Sequence, residues 1–346
     1  MLRKLFARKP LSKVRFSDGS AEFEVGRNMT ILESALAAGM AYPHDCTVGT
    51  CGSCRTRLVA GSVEAITPFG YTLSKEELEG GFILACQAVP KGDVEIAVEM
   101  SAAPSVKTRG RIVEVEELTH DIRRVVWHCD TPIPYVAGQY MSVEWPGGQG
   151  PRNYSFSAAP IEGRSTRLET FVRKVPGGAF TEQLFGPGFA GVEFDIEGPL
   201  GSFWLRDGNG PILLIGGGSG LAPLMSVLSD GLAKGVRRDA ILLFGARQQR
   251  DLYCQDDLAR IADGWPARFE NWPVLSEVPV EGMRSGFVTA SIKDAVAQLG
   301  GTVRLQAYLC GPPAMIDAGI TELTALGLPL DQIHYDKFTD ASTAKA

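Results

Sequence analysis

Cys46, Cys51 and Cys54 fall within one ten-residue stretch, DCTVGTCGSC at 45–54, and a fourth cysteine, Cys86, follows in FILACQ. Thiols at this density can ligate a metal or cluster, or form disulfides. The spacing Cys-x4-Cys-x2-Cys with a distant fourth cysteine is that of a plant-type [2Fe–2S] site. The same Cys-x2-Cys pair also serves as a zinc knuckle. Gly49 and Gly52 favour the cluster physically, because a loop that curls its amides toward charged sulfurs needs residues free of a Cβ. His44 and Asp45 flank the loop; with four thiols present, His44 is expected to hydrogen-bond rather than ligate. Seven cysteines in a chain of 346 residues do not make a paired framework, so disulfides are not expected.

A second group of residues suits phosphates and flat rings. Arg152, Tyr154 and Ser155 stand together in RNYS, and VPGGAFTEQL follows with Gly178 and Thr181. An arginine can grip a pyrophosphate through two N–H bonds, a helix start offers unpaired amides, and a tyrosine ring can lie against a flat heterocycle. Together they suggest a bound dinucleotide; glycine turns of purely structural use would read the same way. A third group is LIGGGSGLAP at 214–223, where Gly217, Gly218 and Gly220 leave an apolar run and Pro223 follows in the next helical stretch. The position suits a phosphate-binding turn, although Leu221 replaces the third glycine of G-x-G-x-x-G. The second strand ends FGARQQRD, so Arg247 suits a 2′-phosphate and Asp251 a ribose hydroxyl, which leaves NADH and NADPH both open. Cys310 and Gly311, in CGPPAM, end a further strand where such sheets bind ligands, though a buried cysteine there is equally a packing residue.

These groups need three different frames. Residues 12–100 read as a small α+β domain, with Thr30 and Glu33 spaced as a capping box before TILESALAAGM. A polar stretch, SAAPSVKT at 101–108, reads as a linker. Short strand-like runs punctuated by glycine and proline then extend to about Asp207 and predict an antiparallel β-barrel interrupted by one helix near 181–184. From Gly210 apolar strands alternate with helices, the pattern of a doubly wound parallel α/β sheet. The domain boundaries expected are 1–103, 104–208 and 209–346.

Composition narrows the class of function. The formal net charge is −6, which argues against nucleic acid as a partner. The sequence has no apolar run long enough for a transmembrane helix. The start, MLRKLFARKP, is basic but lacks the apolar core of a secretion signal. A cytoplasmic protein is expected.

The succession CTVGTCGSC…LACQ, RNYSFS, GGAFT, GGGSGLAP and CGPPAM resembles the single-chain reductase components of bacterial multicomponent oxygenases, of the benzoate dioxygenase, phenol hydroxylase and xylene monooxygenase type. The resemblance covers nearly the whole chain. It implies a β-grasp ferredoxin domain whose [2Fe–2S] cluster is held by Cys46, Cys51, Cys54 and Cys86. It implies FAD held by Arg152, Tyr154 and Ser155, with its pyrophosphate at Gly178 and Thr181. It places NADH at Gly217, Gly218, Gly220 and Pro223, with Cys310 and Gly311 beside the nicotinamide and Phe338 beside the flavin. Ser155 and Cys310 are then the residues expected at the hydride-transfer locus. The expected partner is a terminal oxygenase or hydroxylase, reached directly or through a separate ferredoxin, and the expected state is a monomer. Supply of electrons to a deoxysugar dehydratase is the alternative within enzymes; a slow nucleotide-binding redox sensor is the alternative outside them.

Overall fold

The computed structural model describes residues 11–100, 103–148, 150–161 and 165–338. The basic amino-terminal stretch, and Ser101 and Ala102 of the expected linker, lie outside them. The chain divides into two compact units, Met1–Pro104 and Ser105–Ala346.

In the first unit β1 (Ser12–Phe16) and β2 (Glu22–Val25) form a hairpin, and α1 (Ile31–Ala37) follows. Thr30 and Glu33 make the expected capping box: the Glu33 amide donates to the threonine hydroxyl and the Glu33 carboxylate accepts from the Thr30 amide. Then come β3 (Arg55–Ala60), β4 (Val63–Ala65), α2 (Lys75–Glu79), β5 (Phe82–Leu84), β6 (Ala88–Pro90) and β7 (Val94–Ala97). The main sheet runs β2-β1-β7-β3-β5, with β1 and β7 parallel and the other pairs antiparallel. Val14, Phe16, Ile31, Leu32, Ile83 and Ile96 fill the core between α1 and this sheet.

Two runs that read as single strands are broken. The first turns at Gly61, whose φ of +91° and closeness to the Asp93 carbonyl leave no room for a side chain; β4 then pairs with β6 in a separate ribbon. The second is interrupted by a 3₁₀ turn at Ala85–Gln87, between β5 and β6. That interruption presents Cys86.

The second unit begins with β8 (Val106–Glu117), β9 (Ile122–Ile133), β10 (Tyr140–Glu144), β11 (Arg152–Ser155), β12 (Ser165–Arg173), α3 (Ala179–Phe185) and β13 (Phe194–Leu200). Val106, Lys107 and Thr108, read from sequence as linker, are strand, because they pair with Gly198, Glu197 and Ile196 of β13. The sheet order is β11-β10-β13-β8-β9-β12, and a bridge between Phe156 and Thr170 joins its two ends into a barrel. Trp127, Phe180 and Phe194 pack inside.

The remainder holds β14 (Ile212–Gly217), α4 (Leu221–Ala233), β15 (Ala240–Ala246), α5 (Gln255–Gly264), β16 (Phe269–Leu275), β17 (Arg284–Ser285), α6 (Ile292–Gln298), β18 (Gln306–Gly311), α7 (Pro313–Ala325) and β19 (Ile333–Lys337). Its sheet, ordered β17-β16-β15-β14-β18-β19, is parallel throughout. Alternate residues of β14 divide the core: Ile212 and Leu214 face α4 and α5, whereas Leu213 and Ile215 face α6 and α7. From β14 the chain steps outward to β15 and β16, then returns to lay β18 on its other side. The carboxyl ends of β14 and β18 therefore flank the switch point where sheets of this kind take ligands.

Candidate functional site

The loop from Cys46 to Cys54 is built around backbone that ordinary residues resist. Thr47, Gly49 and Gly52 all have positive φ, at 56°, 87° and 79°. A Cβ on Gly49 would stand 2.7 Å from Cγ of Gln87. The Thr72 hydroxyl ties the loop down through the Gly49 carbonyl. So curled, the loop aims amides at sulfur: Thr50 N to Cys46 Sγ and Ser53 N to Cys51 Sγ, both 3.4 Å, and Cys86 N to Cys54 Sγ, 3.5 Å. Gln87 adds its side-chain amide to Cys86 Sγ at 3.7 Å and to the Thr47 and Cys86 carbonyls.

All seven cysteines are free thiols; Cys54 and Cys86 are buried, Cys46 and Cys51 half-buried. The four expected ligands stand in two hydrogen-bonded pairs, Cys46 with Cys51 and Cys54 with Cys86. Hydrogen bonding from Cys51, then from Thr50, holds Cys46 well below the ordinary thiol range, at about 4, and Cys54 does the same for Cys86 in direction. Cys51 and Cys54, the donors in these two pairs, are pushed up in return. Paired sulfurs that receive backbone N–H bonds fit a four-thiolate iron–sulfur site. His44 spends Nδ1 on the Tyr42 carbonyl at 2.7 Å.

Behind the loop Arg55 and Glu77 form an ion pair at 2.6 Å, with the Glu77 side chain fully buried. Glu77 also caps α2 through the Ser74 amide. Gln87, Thr72 and this pair carry no recognisable spacing, although Gln87 and Arg55 each directly follow a cysteine of the cluster.

In the barrel, Arg152, Tyr154 and Ser155 lie on β11. The Tyr154 ring packs on Phe180 at 5.1 Å, and burial pushes its phenol up. Ser155 is buried. Arg152 donates to the carbonyls of Gly150 and Pro151 and lies over Trp145. The Thr181 hydroxyl closes the preceding turn by donating to the Val175 and Gly178 carbonyls and accepting from the Val175 amide. Thr181 is thus the third residue of α3, whose start at Gly178 has no side-chain cap. The uncapped first-turn amides and the adjacent aromatic ring are chemically suited to FAD, whose pyrophosphate takes N–H bonds and whose ring system takes an aromatic face.

The glycine turn and CGPPAM form a second group. A Cβ on Gly220 would lie 2.2 Å from the Cys310 carbonyl oxygen and 2.9 Å from Gly311 Cα, so glycine is what lets the turn rest on the end of β18. Gly217 is likewise confined by Met315. Pro223 sits in the first turn of α4, where no amide is owed to the helix. Cys310 is fully buried, which drives its thiol up. The Phe338 amide donates to the Gly311 carbonyl, bringing the last described residue to the same place. Gly217, Gly218, Gly220, Cys310, Gly311 and Phe338 therefore gather at the switch point, an arrangement fit for a nicotinamide dinucleotide. The Ser226 hydroxyl on α4, donating to the Ala158 carbonyl at 2.6 Å, ties this group to the chain that leaves β11.

Three further residues complete this region and have no sequence signal. The Tyr253 hydroxyl donates to the Gly218 carbonyl at 2.9 Å. Arg173, from the end of β12, reaches within 3.6 Å of where a Gly218 Cβ would stand. Asp121, in the turn between β8 and β9, pairs with both Arg173 and Arg247.

Known families cover these regions in the same order. Residues 15–91 match the 2Fe-2S iron-sulfur cluster binding domain, residues 109–204 the oxidoreductase FAD-binding domain and residues 214–319 the oxidoreductase NAD-binding domain. The chain is 39% identical over 340 residues to the xylene/toluene monooxygenase electron transfer component of Pseudomonas putida, spanning 96% of this chain and 95% of the relative. It is 35% identical to the reductase component of a naphthalene 1,2-dioxygenase system of the same species, spanning 91% and 94%. Among solved structures it resembles an Amycolatopsis cytochrome P450 reductase with a TM-score of 0.73 at 35% identity, covering 95% and 99% of the two chains. The ferredoxin reductase in carbazole 1,9a-dioxygenase gives 0.66 at 30% identity, with the same coverage.

Proposed function

The chain belongs to the reductase components of multicomponent oxygenases, and from that premise we propose that it carries electrons from NADH to a terminal oxygenase acting on an aromatic or other hydrocarbon. It is an oxidoreductase with 2Fe-2S, FAD-binding and NAD-binding domains. The observation that carries the proposal is the pairing, in one chain, of a four-thiol nest supplied with N–H donors and a glycine turn seated on Cys310 and Gly311. When bound, the flavin takes a hydride's two electrons together and releases them singly to the one-electron iron–sulfur centre.

The protein's part is positional. Arg152, Gly178 and Thr181, with the first-turn amides of α3, would receive the FAD pyrophosphate. Tyr154 would stand against the flavin ring, and Ser155 would offer a buried hydroxyl to it. The amides of Gly217, Gly218 and Gly220 receive the NADH pyrophosphate, with Pro223 fixing the first turn of α4. Cys310 and Gly311 border the nicotinamide, Cys310 as a neutral thiol, and Phe338 closes that end. Cys46, Cys51, Cys54 and Cys86 hold the cluster, whose negative charge the surrounding amides offset. No acid–base pair is required, because alignment and potential set the rate.

The division into domains at 1–103, 104–208 and 209–346 follows this assignment. The partner is a terminal oxygenase component, met directly or through a separate ferredoxin in a transient encounter. On this proposal the chain is a monomer working in the cytoplasm. Among the described residues no helix is long and apolar enough to cross a membrane.

The test is an anaerobic titration with NADH followed by visible absorbance. Bleaching of both flavin and iron–sulfur bands, with uptake of about three electrons per chain, is the expected result. A flavin-only response would remove the cluster from the relay.

A further inference from the structure

Arg247 follows β15 at the carboxyl edge of the sheet, where an arginine ordinarily accepts the 2′-phosphate of NADPH. Here the guanidinium is engaged from two sides. Its Nη2 lies 2.8 Å from Asp121 Oδ2, and its Nε lies 3.4 Å from Asp251 Oδ2. Neither carboxylate is loose. Asp121 Oδ1 accepts from the Thr119 hydroxyl at 3.0 Å, and Oδ2 is shared with Arg173 Nε at 3.2 Å. Asp251 Oδ2 also accepts the Gln248 amide at 3.1 Å, and the Asp251 side chain is only 9% exposed. Glu277 adds another carboxylate nearby, bonded to Gln248.

We propose that Asp121 sets coenzyme preference: by holding Arg247 against itself and Asp251, it makes the site select the unphosphorylated ribose of NADH over the 2′-phosphate of NADPH. The proposal rests on the nucleotide reading of the glycine turn given above. A 2′-phosphate is close to a dianion at neutral pH. To grip it, Arg247 must leave two carboxylates, one of them buried, and the phosphate must settle beside both. The two charges of Arg173 and Arg247 are already matched by those of Asp121 and Asp251. Asp121 is also the residue between the two arginines, because Arg173 extends from it toward Gly218. One carboxylate thereby steadies the arginine nearest the glycine turn and withholds the other. It comes from the β8–β9 turn of the barrel, outside the residues matched by the NAD-binding family. The strands that bind the coenzyme do not by themselves contain this determinant.

The test uses calorimetric titration of the full-length, cofactor-loaded protein with adenosine 2′-monophosphate and, separately, ADP-ribose. Asp121→Asn is expected to bind the 2′-monophosphate tenfold or more tighter than the unaltered chain, to change ADP-ribose affinity less than threefold, and to raise the NADPH-to-NADH ratio of kcat/KM in the same direction. Adding Arg247→Gln to that variant should abolish the gain. A gain that survives the second substitution would hand the phosphate to Arg173 and overturn the proposal. No gain in Asp121→Asn would overturn it too. If Asp121→Asn does not fold, Arg247→Gln alone decides: 2′-monophosphate affinity should stay within twofold, and a tenfold loss would mean the arginine already serves a phosphate. Failure of ADP-ribose to bind the unaltered chain would instead sink the nucleotide site itself, and the proposal with it.

Discussion

The thiol loop of the first unit and the nucleotide site of the second solve similar electrostatic problems by opposite means. Both are suited to hold negative charge. The thiol loop does so within nine consecutive residues, bending through Thr47, Gly49 and Gly52 at positive φ. The candidate nucleotide site is instead assembled by bringing remote segments into contact: Gly220 lies against Cys310, Tyr253 against Gly218, and Asp121 between Arg173 and Arg247. A local device can be written as a spacing rule. A long-range device is visible only after the sheet has formed.

That contrast explains what could be read before the fold was seen. The four cysteines, the capping box at Thr30 and the glycine turn were all legible, since each depends on neighbours in sequence. Arg55–Glu77 and Asp121–Arg247 were not, since an ion pair across 22 or 126 positions leaves no periodicity. The linker was overextended by three residues for the same reason: Val106, Lys107 and Thr108 end a short, largely small and polar stretch that reads as loop until β13 pairs with them. The break at Ala85–Gln87 was also missed, because FILACQAVP reads as one apolar run although Cys86 needs a turn to face its partners.

The comparison can be broken most forcefully at Cys86. Replacing it with serine removes one of four ligands, so bound iron and sulfide should fall to near zero and reduction of a one-electron protein acceptor about 100-fold or more, a loss of roughly 2.7 kcal/mol or more in barrier terms. Flavin reduction by NADH in stopped flow should stay within about twofold, a rate change of under half a kcal/mol. Loss of both would mean the two sites are not separable devices. The next largest effect belongs to Glu77→Ala. It removes the carboxylate partner of Arg55 behind the cluster loop, and breaking such a buried pair costs roughly 3–5 kcal/mol; because Arg55 is 18% exposed and also lies over Phe82, the lower end is expected. Thermal unfolding should show the first unit melting earlier while FAD release is unmoved.

Gly220→Ala attacks the other site. The added methyl meets the Cys310 carbonyl carbon and oxygen, neither of which can swing away, so the turn must lift from β18. Overpacking of this kind costs about 1–3 kcal/mol, and NADH affinity should weaken about tenfold or more, with iron content and the cluster's EPR signal unchanged. An unaltered affinity would show that the close approach of turn and strand serves packing alone.

The smallest effect sharpens the contrast most. Gln87 reaches the thiol site from outside the loop and donates to sulfur, at 3.7 Å from Cys86 Sγ. It also bonds the Thr47 carbonyl, so it touches both the ligand and the loop that holds the other ligands. A hydrogen bond to sulfur stabilises the reduced, more negative cluster more than the oxidised one. Gln87→Ala should therefore lower the reduction potential. A bond worth about 0.5–1.5 kcal/mol translates to a shift of about 20–60 mV for one electron. Potentiometric EPR titration measures it directly. If the potential falls while iron content holds, the cluster's electronics depend on a residue that is adjacent in sequence to one ligand and 40 positions from the Thr47 carbonyl it also binds. The thiol site would then be local in its ligands and long-range in its tuning. If the potential stays put, the amides of Thr50, Ser53 and Cys86 suffice, and the site is local in both respects.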